Sequence, residues 1–196
     1  MKTYEKELPA EYVEVGRVDA TEKKFATKLT IASFVLLLPF AIWVGVLCGL
    51  GQKSGTLDLK ALWDGSWIPL LAIVLYLVAH ELTHGIAYKL MTGEKLTFGL
   101  TLTVAYCGVP DIYVYRRTAL ISLLAPFVLF SVIFGGLTIF TTGIQHIYWL
   151  VVFGVHFSGC AGDLYDTWLF LTKYRDENTL MRDSGPTQWF YQKQSI

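Results

Sequence analysis

The sequence predicts an all-α membrane protein of about four transmembrane helices, with a short membrane-associated β-hairpin between the second and third. Three observations carry this. The 196 residues are 54% hydrophobic and 16% charged, where soluble domains carry about 25% charged residues. Four apolar segments are long enough for a hydrocarbon core of about 30 Å at about 1.5 Å per helical residue. Between the second and third, apolar residues alternate with polar or small ones at a period of two, the spacing of a strand.

Residues 1–28 hold six basic and six acidic side chains before any apolar run begins. That is not the pattern of a cleaved signal peptide, so the segment reads as a cytosolic N-terminal tail and the first span as an uncleaved anchor. The spans run from Leu29 to Leu50, Ile68 to Met91, Ala119 to Thr142 and Ile147 to Leu171. Pro39 and Pro126 fall inside the first and third, where neighbouring helices accommodate a kink. Residues 29–172 thus form one membrane domain, and 173–196 a cytosolic C-terminal tail.

Lysine and arginine set the orientation. Six precede Leu29, four lie between Lys89 and Arg117, and four follow from Lys173. The loop after the first span has only Lys53 and Lys60, and the turn Gly143 to His146 has none. By the positive-inside rule both termini and the middle loop are cytosolic in a multi-pass protein of the cell membrane. Trp67 and Trp149 then mark the outer interface.

In the middle loop, Leu100, Leu102, Val104 and Tyr106 alternate with Thr101, Thr103 and Ala105. Cys107 to Asp111 reads as a turn and Ile112 to Tyr115 as a second short strand. The edge of such a hairpin could take an extended peptide as an added strand; an ordinary amphipathic loop is the competing reading.

The second span carries His80-Glu81-Leu82-Thr83-His84. On a helix the histidines fall at i and i+4, on one face, where two imidazoles can bind one zinc with the glutamate placed to act on a water at the metal. His80, Glu81, His84 and Lys89 are costly inside a span unless function retains them. Satisfied core histidines would be the plain alternative, and they leave Glu81 unexplained.

A catalytic zinc takes three protein ligands. The fourth span offers His156, Cys160, Asp163 and Asp166, the first three at i, i+4 and i+7 and so on one helical face. Asp163 is the expected third ligand. It lies 14 residues beyond Trp149, as His84 lies 17 beyond Trp67, which puts both about 20–25 Å below the outer face. Its flank, Ser158-Gly159-Cys160-Ala161-Gly162, is small enough for helices to approach closely. A helix-end acid paired with Lys173 or Arg175 is the competing role. Asp166 reads as an interfacial or outer-sphere acid and Cys160 as a packing residue. His156 either orients a substrate carbonyl or bonds across helices.

A formal net charge of zero gives no sign of nucleic-acid binding. Three widely spaced cysteines make neither a disulfide framework nor a cysteine zinc site. The partners expected are the lipid bilayer and a membrane protein or peptide substrate.

His80-Glu81-Leu82-Thr83-His84-Gly85, the run Ser158 to Asp163, and Ala125-Pro126-Phe127 resemble a group of bacterial integral membrane proteins classed as zincin peptidases, similar in pattern to the site-2 protease clan. The likeness covers Ile68 to Leu171. It implies a zinc-dependent intramembrane metalloprotease with His80, His84 and Asp163 as ligands, Glu81 as base, and a membrane-inserted β segment beside the site. Two positions depart from the site-2 pattern: His156 stands near the place of an Asn, and Leu164, not Gly, follows Asp163. A zinc-binding scaffold without catalysis and a small metal-ion transporter are the other two readings.

Overall fold

The structure is a computed structural model and describes residues 2–100 and 105–194. Its elements in chain order are β1 (Tyr4–Glu5), β2 (Tyr12–Asp19), α1 (Lys23–Lys53), α2 (Leu59–Asp64), α3 (Trp67–Thr92), β3 (Thr97–Leu100), β4 (Ala105–Gly108), β5 (Tyr113–Tyr115), α4 (Arg116–Phe140), α5 (Gly143–Gly159), α6 (Ala161–Thr172), β6 (Leu180–Asp183) and β7 (Thr187–Lys193). Among the described residues three helical stretches, Lys23–Lys53, Leu59–Thr92 and Arg116–Phe140, are long and apolar enough to cross a membrane, or four if the bent pair α5 and α6 counts as one span. On α1 the side chains of Phe34, Val35, Leu38, Ile42 and Trp43 are all more than half exposed, an apolar surface that water would penalise and acyl chains accept. This is a multi-span, mostly helical membrane protein.

The fold is not all-α. Besides the hairpin it has a five-stranded antiparallel sheet in the order β1-β5-β6-β7-β2. Four of its strands come from the segments that composition marks as polar tails. Their alternation is masked because both faces of the sheet are covered. Val18, Val114, Met181 and Phe190 point into a core with Tyr88, Ala119, Leu123, Leu169 and Phe170 from the helix ends. Tyr12, Leu180 and Tyr191 bury against Leu8, Tyr113, Tyr115 and Trp189 on the other side. Burying each large side chain contributes about 1.5–3 kcal/mol, enough to hold short strands that would not persist alone.

The hairpin also differs from its expected register. β3 and β4 pair Thr97 with Gly108 and Leu100 with Ala105, so the reversal falls inside the run read as one strand. Thr101, Leu102, Thr103 and Val104, which carried much of the alternation, lie outside the described residues. Cys107 and Gly108 belong to β4, the turn is confined to Pro110 and Asp111, and β5 pairs with β1 and β6, not with β3 or β4.

The chain divides into two compact units: Met1–Leu29, Ala79–Pro126 and Gly162–Ile196 make one, and Thr30–Val78 and Phe127–Ala161 the other. The first holds both sheets. The second is a helical unit packed through aromatic rings, with Tyr76 edge-on to Phe130 and Phe134, and Phe40 against Phe153 and Phe157.

Candidate metal centre

His80 and His84 sit on α3 one turn apart, and both are buried. Asp163 lies in the first turn of α6, where the partial positive charge of a helix N-terminus favours a carboxylate. The three meet. His80 Nε2 and His84 Nε2 are 3.2 Å apart; Asp163 Oδ2 is 3.2 Å from His80 Nε2, and Asp163 Oδ1 is 3.4 Å from His84 Nε2. Among the described residues, no ion pair joins Asp163 to Lys173 or Arg175.

The tautomer of His84 follows from its other nitrogen. Nδ1 lies 2.8 Å from the carbonyl oxygen of Ser122, which can only accept, so Nδ1 carries the proton and donates. In the neutral ring Nε2 is then a lone pair aimed at His80 and Asp163, the arrangement in which a metal-binding histidine is held by an outer carbonyl. Two imidazole nitrogens and a carboxylate that converge in this way need a proton or a cation between them. The donor set could hold a metal ion.

Glu81 is half-buried, with its carboxylate near enough to His84, His80 and Asp163 to interact with them electrostatically. Gly85 follows the second histidine for a steric reason. A Cβ there would stand 2.8 Å from Phe98, 3.1 Å from Leu96 and 3.3 Å from Cys107 Sγ, so the missing side chain lets the hairpin lie against the helix beside the histidines. Burial pushes the Cys107 thiol up to about 12, leaving it a neutral packing group.

Of the other candidates in the fourth span, Asp166 shares α6 with Asp163, whereas His156 and Cys160 precede a break in the helix. α5 ends at Gly159, and the Cys160 amide donates back to the carbonyls of His156 and Ser158. The one-face spacing of His156, Cys160 and Asp163 therefore does not run through. The small-residue run sits at this break, and a Cβ at Gly159 or Gly162 would meet only ordinary contacts, at 3.5 and 3.9 Å. Close helix approach is not what those glycines serve. His156 is fully buried in the aromatic unit, with Nδ1 3.0 Å from Tyr76 Oη and Nε2 3.1 Å from Ser131 Oγ. This is the cross-helix bonding role. Asp166 is itself buried, and its Oδ1 lacks a hydrogen-bond partner among the described residues.

One residue escaped the sequence reading altogether. Asp183, on β6, accepts a hydrogen bond from Tyr88 Oη at 2.7 Å. Tyr88 stands at i+4 from His84, on the histidine face of α3. Nothing in the polar C-terminal segment marks this aspartate as buried, except that it follows the Leu180-Met181 pair. Burial raises the Asp183 carboxyl above the usual carboxylate range, against the bonds from Tyr88 and Gly185 that favour its charged form. A raised value in the folded state means that this group's stabilising contribution is complete below the unfolded value of about 3.9 and is lost as pH climbs through the folded value. Thermal unfolding scans between pH 4 and 8 should therefore show a decline that Asp183→Asn flattens; parallel profiles for the two proteins would refute this.

The family model described as "Putative zincin peptidase" matches residues 73–177. The chain belongs to that family. The matched stretch includes the histidines of α3 and Asp163 of α6 and stops short of β6. No curated protein and no solved structure matches.

Proposed function

We infer that the protein is a zinc-dependent intramembrane metalloprotease, similar in design to the site-2 protease clan, that hydrolyses peptide bonds of membrane-associated substrates. The observation that carries this is the convergence of the His80, His84 and Asp163 side chains. Ligands about 2.0–2.1 Å from a tetrahedral zinc lie about 3.3–3.4 Å from each other; here the imidazole nitrogens are 3.2 Å apart, and Asp163 presents Oδ2 to His80 at 3.2 Å and Oδ1 to His84 at 3.4 Å. Membership of a zincin peptidase family supports the same reading.

In this proposal His80, His84 and Asp163 hold the zinc, and Ser122 fixes the ring of His84 through its carbonyl. Bound zinc would polarise the scissile carbonyl and make a nearby water easier to deprotonate. Glu81 takes the proton from the attacking water as its oxygen bonds to the carbonyl carbon. It then gives that proton to the nitrogen of the breaking C–N bond, so that acid and amine leave balanced. The Asp163 side chain is 18% exposed, so protein does not seal the site completely. β3 pairs only with β4 among the described residues, and Phe98 and Leu100 are exposed. An extended apolar segment has an edge there to join.

Sheet pairing supports four crossings. β5 pairs with β1 on one side and β6 on the other, so the strands before α1, after α3 and after α6 lie on one side of the bilayer. An even number of spans between each pair follows, with α5 and α6 as one broken crossing. The charge bias assigns that side to the cytosol. In a background without native cysteines, an impermeant thiol reagent added outside cells should label Ser54→Cys and not Lys95→Cys; the reverse pattern would invert the topology.

The reaction itself is tested with purified protein in liposomes and a membrane-spanning peptide. Stripping zinc with a chelator should abolish cleavage, and added Zn2+ should restore it. Cleavage that persists in metal-free protein would sink the proposal.

A further inference from the structure

The turn between β6 and β7 is wedged between the histidine helix and the hairpin. Its Asp183 reaches both. The side chain accepts from Tyr88 Oη on α3 at 2.7 Å, and the carbonyl accepts from the amide of Val109, just past β4, at 2.8 Å. The other carboxylate oxygen is occupied by the Gly185 amide at 2.9 Å and by Gln188 Nε2 at 3.4 Å. Tyr88 and Asp183 are almost wholly buried, at 1% and 4% exposure.

Two glycines show how closely the turn fits. A Cβ at Gly108 would lie 2.6 Å from the Gly185 amide nitrogen and 2.9 Å from the Asp183 carbonyl oxygen, both backbone atoms that cannot swing aside. Gly185 has φ +96°, and a Cβ there would strike the ring of Tyr106. The turn is thus seated against β4 along its end while Asp183 holds α3 from below the histidines. His80, His84 and Tyr88 share one face of α3 at i, i+4 and i+8, so fixing Tyr88 fixes the rotation of the whole face.

We propose that the β6–β7 turn is a built part of the site, with Asp183 and Tyr88 as positioning residues that hold the histidine face of α3 and the end of β4 in one register. The segment lies beyond the residues matched to the family, 73–177. The proposal rests on the zinc reading for its catalytic meaning, and on geometry alone for the coupling of helix to hairpin.

Tyr88→Phe, which removes one hydroxyl and keeps the ring, is the principal variant; Asp183→Ala and the double variant accompany it. Hydrogen exchange read at the Val109 amide should quicken by about tenfold in Tyr88→Phe, while the β2–β7 amides keep their protection. Zinc affinity, measured by competition with a chelator, should fall by about tenfold, and the double variant should be no worse than the worse single one. Wild-type exchange at Val109 in Tyr88→Phe would overturn the coupling. Quickened exchange with unchanged zinc affinity would overturn the positioning role. A wild-type protein that takes up no zinc would defeat the metalloprotease reading instead, and the exchange measurement would still decide whether helix and hairpin are coupled.

Discussion

Glu81→Gln is expected to lower the turnover of peptide cleavage by about 10²–10⁴, the range for removing a positioned general base, with zinc content unchanged. Gln has the same shape and hydrogen-bonding reach, so packing on α3 persists and the imidazoles stay in place. What it cannot do is take a proton at neutral pH and carry it to the leaving nitrogen. The loss should fall on kcat, because Glu81 acts on water and a leaving group and not on the substrate's resting contacts. The measurement pairs single-turnover cleavage in liposomes with metal analysis of the same preparation. Wild-type turnover in the variant would remove Glu81 as the general base and return that role to another group.

Asp163→Ala should have the larger effect on the metal. It removes one of three donors and leaves two imidazoles 3.2 Å apart, too few to hold zinc against a chelator. The loss should exceed the roughly 10–100-fold that follows removal of an outer hydrogen-bond partner. Cleavage should vanish with the zinc. Asp163→Asn provides the control for shape: it fills the same space in the first turn of α6 but offers a neutral, weaker donor, and should fall between wild type and alanine. Metal content equal to wild type in Asp163→Ala would remove Asp163 from the coordination sphere and return the third position to another residue.

The histidine pair was legible because its chemistry is local: His80 and His84 need only a helix to share a face, and the apolar run supplies the helix. The nearness of Asp163 to the histidines was legible for a partly mistaken reason. Depth counting along a straight fourth span led to it, whereas the span is interrupted at Cys160 and the aspartate opens a new helix. The sheet was hidden because its strands are short, lie far apart in sequence and sit in polar stretches. Tyr12 pairs with Lys193, and Val114 with Met181, and no pattern within a window of ten residues reports such partners. Asp183 was hidden for the same reason. A lone aspartate in a charged segment looks solvated until β6 carries it under α3, where Tyr88 is waiting.

The pairing of β2 with β7 sets an order of assembly. A nascent chain inserts its helices one after another, but the strand from Tyr12 to Asp19 has no neighbour until residues 187–193 have been synthesised. Pairing at such sequence separation is slow, since the intervening loop has to close first. If the centre cleaves peptides as proposed, its dependence on the β6–β7 turn would keep it dormant until residues 187–193 have been made, after the helices α1 to α6 have entered the bilayer.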